Sequence, residues 1–312
     1  RPIPVHGVAR CRRKQQLLPA CLGALMVQVL LRPPLVAVQR WKIQVAYDGS
    51  DFLGWQSLGD KSARTVHGSL LTALMKSHPQ YGRHIAGPVP QLVGCSRTDR
   101  GVHAEAQVAH VDLVSLSDLD AATLKRRCNH RLPSDLRVMD VEAVDQNFHA
   151  RKSALKKCYR YDLLLADEAT PFQARYVWPV GPVDLPLLRT VAEQWNGRRV
   201  DCRPFTVNWR SSCRDGTDVF DEDYYGPLQK QLSVRLDGGF PALRIYVEAD
   251  AFLYRMVRVL VTALVAAGQH VVRPQELEVA EPTSLAMALK RVKGQCRIAP
   301  PNGLFLQRIT YA

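Results

Sequence analysis

The feature that most constrains the fold is a change in apolar spacing within one stretch of the C-terminal half. Apolar and polar residues alternate over residues 232–236 and again over 243–247, with Asp-Gly-Gly at 237–239 between the two runs. This pattern predicts a β-hairpin. Over residues 252–267 the apolar positions instead recur every three or four residues, and Gly268 follows. That spacing predicts an amphipathic helix with the glycine at its C-cap.

The N-terminal half contains a similar mixture of patterns. Residues 41–47 alternate as a half-buried strand does, residues 48–50 read Asp-Gly-Ser and predict a turn, and residues 65–74 have helical spacing. Further strands are predicted over residues 107–113 and 159–165. Because both halves mix strands with helices in similar proportion, we expect an α/β protein with two related halves.

The chain of 312 residues divides by these patterns into three parts. We expect a basic N-terminal extension over residues 1–40, a first α/β half over 41–155 and a second over 156–312. The length suits one large domain or two of ordinary size, and it is ample for a buried core.

Residues 1–40 differ from everything after them. They contain seven lysines and arginines and no acidic residue. This composition is typical of organellar transit peptides and favours a mitochondrial location, with another organelle or the cytoplasm as alternatives. The apolar run over residues 17–31 contains a proline and is too short to span a bilayer, so we expect no membrane association. A secretory signal and an extension that docks on RNA or on a partner are competing interpretations.

The charge balance indicates an acidic partner. Lys and Arg number 42, Asp and Glu 29, and the formal net charge is +13. A protein of this charge commonly binds nucleic acid phosphates or an anionic membrane, although a merely soluble basic protein remains an alternative.

The cysteines and histidines do not indicate a metal site. The eight cysteines include no CxxC pair, and no HExxH motif occurs. Structural zinc sites usually take their ligands in such closely spaced pairs. We therefore expect no metal and mostly free thiols in a reducing compartment.

The segment most suggestive of chemistry is Ser-Arg-Thr-Asp-Arg-Gly-Val-His-Ala over residues 96–104. Alone, Thr-Asp-x-Gly is a common turn, since Asp accepts local backbone hydrogen bonds and Gly tolerates positive φ. On that basis Asp99 would be structural. The rest of the chain changes this interpretation.

The segment closely resembles the RTDAGVHA signature of the TruA family of tRNA pseudouridine synthases. Resemblances to other motifs of that family follow in the same order along residues 41–311: Tyr47-Asp48-Gly49, Gly54-Trp55-Gln56, Thr65-Val66-His67, Asn129 with Leu132-Pro133, Phe148-His149-Ala150-Arg151, Tyr159-Arg160-Tyr161, Phe252 with Met256-Val257-Arg258, and Gly303-Leu304-Phe305-Leu306. An ordered series of this kind is far more specific than any single motif.

The resemblance implies a fold and a reaction. The fold would be two tandem α/β halves whose strands form one extended mixed, largely antiparallel sheet flanked by helices, with a basic central cleft. Members of the family are usually homodimers and use no cofactor or metal. Their reaction detaches uracil from ribose and reattaches it through carbon 5. It requires a carboxylate beside the sugar and a nucleotide flipped out of its stack.

The resemblance also implies residue roles. Asp99 would be the catalytic carboxylate, and Arg97 would displace or replace the flipped base. Tyr159 would stack on the uracil, and Leu306 would close the uracil pocket. His103 is more in keeping with a structural role that holds the loop.

Three arginines complete the expected site. A family arginine that pairs with the carboxylate should lie within residues 210–215, where Arg214 is preferred over Arg210 although the motif departs from the usual Ser-Arg-Thr. Arg258 would support the site from its helix. Arg100 stands where the family usually has Ala, and this cation could contact phosphate, favour ionised Asp99 or crowd the pocket. An acidic stretch over residues 213–226 is expected to be a solvent loop.

Two hypotheses follow. The first is an active pseudouridine synthase acting on structured RNA, above all organellar tRNA. The second is a weakly active or inactive RNA-binding or ribosome-assembly factor on the same scaffold, acting on organellar rRNA. Asp99, Arg97 and Tyr159 favour the enzyme, whereas Arg100 and the altered motif near Arg214 favour the scaffold.

Overall fold

The computed structural model describes residues 37–56, 63–82, 89–206, 228–278 and 282–312. From Val38 onward the chain clusters as one compact unit. The strands are β1 Val38–Tyr47, β2 Leu92–Gly94, β3 His103–Val114, β4 Leu136–Val144, β5 Ala154–Leu164, β6 Trp178–Pro179, β7 Arg198–Asp201, β8 Gln229–Gly238, β9 Ala242–Ala249 and β10 Leu304–Tyr311. The helices are α1 Val66–Ser77, α2 Pro79–Gly82, α3 Ala121–Asn129, α4 Leu185–Trp195, α5 Met256–Gly268 and α6 Pro282–Gln295.

The described strands form one ten-stranded sheet in the order β4-β1-β3-β10-β5-β9-β8-β7, with β2 beside β3 and β6 beside β5. Neighbours are antiparallel except for the pairs β3–β10 and β5–β6, which are parallel. This confirms the expected mixed, largely antiparallel sheet. The last strand, β10, lies between β3 of the first half and β5 of the second. The final residues of the chain therefore join the strands of the two halves.

Alternation along the strands places the core on the helical face. In β1 the side chains of Trp41, Ile43, Val45 and Tyr47 are buried while their neighbours are partly exposed, as the sequence pattern predicts. Helix α5 is buried along its whole length and packs against α4 and α6. An apolar helix of this kind can only be stable inside the protein.

The hairpin and the first helix agree closely with the sequence-based expectations. Strands β8 and β9 pair antiparallel around the predicted turn, with Val234 opposite Val247. Helix α1 begins after Thr65, whose hydroxyl accepts a hydrogen bond from the amide of Gly68 at 3.1 Å. The first strand begins at Val38, three residues before the expected start.

The boundaries of α5 differ from the expectation. The helix starts at Met256 rather than near residue 252, because Arg255 has left-handed backbone angles, with φ of 56°, and a left-handed residue cannot continue a right-handed helix. Phe252 therefore belongs to the preceding loop and not to the apolar face of the helix. At the other end Gly268 is the last helical residue, and Gln269 is the cap.

Several expectations fall outside the described residues. They are the targeting segment up to residue 36, Arg210 and Arg214, and the whole acidic stretch over residues 213–226. The boundary between the two halves stays a prediction. In the described part of the chain, every helix is too short or too polar to cross a bilayer.

Candidate active site

The loop between β2 and β3 carries Asp99 at the edge of a cavity. The amide of Val102 donates to the carbonyl of Asp99 at 3.2 Å, and Gly101 has φ of 79°. These are the features of the tight turn that the Thr-Asp-x-Gly pattern predicts. The Asp99 side chain is partly buried, and 26% of its surface is exposed to solvent.

A second loop, after β1, packs directly on this turn. The amide of Trp55 donates to the carbonyl of Thr98 at 3.0 Å. A side chain at Gly54, which has φ of 91°, would bring a Cβ within 2.6 Å of that same carbonyl oxygen. At Gly49 a Cβ would lie 1.9 Å from the carbonyl oxygen of Val102. Only glycine permits this close approach of the two backbones, which explains the glycines of both sequence motifs.

Three side chains from the sheet fix the Asp99 loop. The hydroxyls of Tyr47 and Thr98 are 2.8 Å apart. The amide group of Gln107, fully buried, donates to the carbonyl of Ser96 at 2.6 Å and accepts from its backbone N–H at 3.2 Å. The hydroxyl of Tyr159 lies 2.8 Å from that of Ser96. Buried hydrogen bonds of this kind hold a loop rigidly, because breaking one leaves a polar group without a partner.

The Asp99 carboxylate faces two arginines of the second half. Its Oδ2 is 3.3 Å from Nη1 of Arg258 and 3.6 Å from Nε of Arg255. Arg258 lies in the first turn of α5, only 10% of its side chain is exposed, and its Nε donates to the carbonyl of Ala299 at 2.7 Å. Arg255 is 38% exposed, and its left-handed backbone places it just before the helix. The two cations therefore place positive charge directly beside the Asp99 carboxylate.

Burial shapes the protonation of the neighbouring groups. It lowers the pKa of Arg258, while the charge of Asp99 raises it. An arginine nevertheless keeps its proton at neutral pH. Burial also raises the pKa of the Tyr159 phenol, so this side chain is neutral and acts as an aromatic surface and a hydrogen-bonding group.

The cavity has a volume of 460 Å³, which lies within the range of sites for small molecules or single nucleotides. Tyr159, Phe252 and Leu304 contribute its apolar surface, and the rings of Tyr159 and Phe252 meet edge to face at 5.1 Å. Among the described residues, its charged lining is one carboxylate and five cations: Asp99, Arg97, Arg100, Lys157, Arg255 and Arg258. This arrangement suits an anionic substrate that carries a flat ring.

Comparison with known proteins finds similarity to tRNA pseudouridine synthases over most of the chain. A family model described as tRNA pseudouridine synthase matches residues 210–312. The tRNA pseudouridine synthase A of Moorella thermoacetica is 32% identical over 274 residues, which is 86% of this chain and 98% of the relative. That of Latilactobacillus sakei is 31% identical over 283 residues, covering 88% and 99%. The chain belongs to the TruA family of tRNA pseudouridine synthases.

Within this TruA-family site, the sequence-based candidates have different positions. Arg97 and Arg100 are exposed and line the cavity on either side of Asp99. Tyr159 is buried in β5 and lines it as well. Leu306 is fully buried in β10, opposite Tyr159 in register, and Leu304 rather than Leu306 contributes to the cavity lining. The role given to Leu306 stays a prediction.

Sequence reasoning assigned the partner of Asp99 to residue 214, outside the described chain, and gave Arg258 only a supporting role. In the described part, Arg258 and Arg255 make the ion pairs with Asp99. The spacing of Arg255 and Arg258, three residues apart, was visible in the sequence. Lys157 was missed altogether, and a lysine inside the apolar alternation of β5 was the signal that could have revealed it.

His103 has the structural role expected from the sequence. Its Nδ1 accepts a hydrogen bond from the amide of Gly49 at 3.0 Å, and its Nε2 lies 3.1 Å from the carbonyls of Arg175 and Asn302. Burial lowers its pKa, so the ring is neutral at pH 7. It thereby connects the two loops beside Asp99 to more distant parts of the chain.

The cysteines of the described chain are free, as expected. Cys95, Cys128, Cys158 and Cys202 are buried, and Cys296 is partly exposed. Within the described ranges no cluster of three or more His, Cys, Asp or Glu could hold a metal ion.

Proposed function

We propose that this protein isomerises uridine to pseudouridine in tRNA, with Asp99 as the reacting carboxylate. The observation that carries the proposal is the carboxylate at the cavity edge, which lies within 3.6 Å of two arginines and among further cations and aromatic rings. The tRNA pseudouridine synthase A relatives support the choice of tRNA as substrate.

In the proposed reaction, Asp99 attacks or deprotonates the ribose while the bond between uracil N1 and the sugar breaks. The base then turns and forms a new bond from carbon 5 to C1′, as the Asp99 oxygen leaves C1′ or the proton that Asp99 removed returns to the ribose. Carbon 5 loses its proton and N1 gains one. The target nucleotide must leave its stack to reach the cavity. Arg97, exposed beside Asp99, would take the place of the flipped base in the RNA.

Tyr159 and Leu306 complete the proposed base site. The ring of Tyr159 would stack on the uracil, since any base offers a flat face to an aromatic side chain. Its hydroxyl is already bonded to Ser96, so the ring is positioned before the substrate arrives. Leu306 would act from beside Tyr159, because it is buried and lies directly opposite that residue on the same face of the sheet.

RNA binding would depend on the cations around the cavity. Arg97 and Arg100 are exposed and can reach phosphates, in keeping with the net charge of +13. Binding by phosphate contacts is salt-dependent, because each contact releases condensed counterions. We propose that Arg214 adds a further cation to the site.

The activity is tested with tRNA transcripts that carry tritium at carbon 5 of uridine. Isomerisation releases the tritium to water, so purified protein should release it in proportion to the pseudouridine mapped in the same RNA. If the protein binds tRNA tightly but releases no tritium from tRNA or organellar rRNA, the enzyme proposal fails. The RNA-binding or ribosome-assembly role would then hold, and Arg100 beside Asp99 would be the first residue to exchange for Ala.

Location and assembly belong to the same proposal. Residues 1–40 are basic and free of acidic residues, which supports targeting to mitochondria and therefore an organellar tRNA substrate. A homodimer is proposed from the family resemblance. A reporter fused to residues 1–40 should reach mitochondria, and a diffuse cytosolic or secreted signal would contradict this location.

A further inference from the structure

Two buried lysines of the sheet differ in their partners. Lys157 in β5 and Lys230 in β8 expose only 6% and 1% of their surface. The ammonium of Lys230 lies 3.6 Å from the carboxylate of Asp250. The ammonium of Lys157 donates to the carbonyl of Cys95 at 3.3 Å, and in the described part of the chain no carboxylate lies within 4.0 Å of it.

Among the described residues, Lys157 is therefore a buried lysine with no carboxylate at ion-pair distance. Burying a charge is costly unless an opposite charge or several hydrogen bonds compensate it. An ammonium has three N–H donors, and the Cys95 carbonyl uses one. The nearby thiol and phenol do not supply a negative charge, because burial raises the pKa of both Cys95 and Tyr159.

The position of Lys157 indicates which part of the substrate would accept its remaining hydrogen bonds. Lys157 lies two residues before Tyr159 on the same face of β5, and both side chains line the cavity that contains Asp99. Arg97 and Arg100 are exposed, whereas Lys157 is buried. A phosphate has exposed cations available to it, so the group that reaches Lys157 is the one that enters deepest, the flipped base.

We propose that Lys157 donates a hydrogen bond to a carbonyl oxygen of the uracil and stabilises the uracil anion after it leaves the ribose. The inference rests on the proposed isomerase function. When the bond between N1 and C1′ breaks, its electron pair stays on the base and spreads over N1 and the two carbonyl oxygens. Carbon 5 then supplies the pair for the new bond to C1′, while the Asp99 oxygen leaves C1′ or Asp99 returns the proton it took from the ribose. Carbon 5 loses its proton, and N1 takes one up. A buried ammonium is at its most effective at this stage, since water does not screen it.

The test compares Lys157→Met with Lys230→Met. Both changes replace a buried lysine by a neutral side chain of similar length, but only the first lies in the cavity. We expect Lys157→Met to lower kcat about 100-fold, the usual effect of removing one donor to a developing negative charge, with KM changed by less than about threefold. Lys230→Met should leave kcat within about threefold of wild type. Lys157→Gln keeps a donor for the Cys95 carbonyl but not the charge, so it should resemble Lys157→Met.

A second substrate separates anion stabilisation from mere positioning. Fluorine at carbon 5 withdraws electrons and stabilises the uracil anion by itself. The rate of N1–C1′ bond cleavage can be measured under single-turnover conditions on RNA that carries 5-fluorouridine at the target position. On this substrate the rate loss caused by Lys157→Met should shrink to about tenfold or less. Equal losses on both substrates, full activity of Lys157→Gln, or a kcat of Lys157→Met equal to that of Lys230→Met would overturn the inference. Inactive wild-type protein would instead refute the proposed function itself.

Discussion

The two halves of the chain contribute to the cavity in different ways. The first half supplies the turn with Asp99, and Tyr47 and Gln107 of that half, with Tyr159 of the second, fix this turn by hydrogen bonds. The second half supplies the arginines, on a loop and at the start of a helix. There Arg255 has a left-handed backbone, and its Nε forms no hydrogen bond within the described chain.

The comparison shows that different residues fix the position of the Asp99 carboxylate and supply the positive charge beside it. A carboxylate that reacts with a sugar must be held in place, and the hydrogen-bonded turn does this without the arginines. The arginines of the second half supply positive charge beside it, and they approach it to 3.3 and 3.6 Å without a short hydrogen bond. Substitutions of Arg255 or Arg258 should therefore change the charge of the site while the turn keeps its structure.

The sharpest comparison is between the two arginines. Arg258→Met removes the closer and more buried cation, and we expect kcat to fall about 100-fold. Arg255→Met removes a longer, more exposed ion pair, and a loss of about tenfold is expected. Steady-state kinetics on tRNA measures both effects. Equal losses would show that distance and burial do not determine the contribution of each arginine.

A smaller effect is expected at the contact between the halves. Tyr159→Phe keeps the ring but removes the hydroxyl that bonds to Ser96, a bond worth about 1 kcal/mol. We expect kcat to fall about fivefold, since the aromatic surface survives while the turn loses one restraint. Tyr159→Leu, which also removes the ring, is the matched control and should be clearly worse. If Tyr159→Phe and Tyr159→Leu were equally impaired, stacking would not be the role of this ring.

His110 offers a test of the rigidity of the first half that does not involve activity. Its Nδ1 accepts from the amide of Ala150 at 3.0 Å, and burial, with help from the nearby charges of His149 and Arg40, lowers its pKa to about 4. Between pH 6.5 and 4 the unfolded chain binds the proton that the folded protein does not, so stability falls as the pH falls through this window.

We expect His110→Asn to keep the acceptor and lose the titration. The decrease in the free energy of unfolding from pH 7 to pH 4.5 should then be smaller than in wild type by up to about 3 kcal/mol. Urea unfolding at the two pH values measures it. Identical pH dependence in the two proteins would mean that His110 is protonated equally in the folded and unfolded states.

Much of this fold is predictable from local patterns. The hairpin β8–β9 and strands β1, β3 and β5 follow from alternation, and α1 follows from helical spacing behind a threonine cap. Helix α4 could also have been predicted, because Asp184 caps it and Leu188, Val191 and Trp195 form its apolar side. The position of β10 between β3 and β5 could not, since pairing between distant strands leaves no local signal.

The candidate site, too, can be predicted from the sequence only in part. The family resemblance places Asp99, Arg97, Tyr159 and Arg258 in one cavity, and the structure brings these four together. Nothing local in the sequence predicts the left-handed backbone of Arg255, because left-handed residues are usually Gly, Asn or Asp and tertiary contacts impose the exception. Lys157 occurs on the apolar face of the β5 alternation, which indicates burial, but only the fold shows that it lines the cavity beside Asp99.

The central claim is that the Asp99 carboxylate performs the chemistry while the surrounding cations bind the RNA. Asp99→Asn tests it most directly, since Asn has nearly the same size and preserves the turn but lacks the negative charge. Tritium release and RNA affinity should be measured in parallel on wild type and variant. We expect no detectable isomerisation by the variant and an affinity equal to or slightly above that of wild type, because the phosphate contacts remain and one anion is gone. Isomerisation by Asp99→Asn at the wild-type rate would contradict the claim.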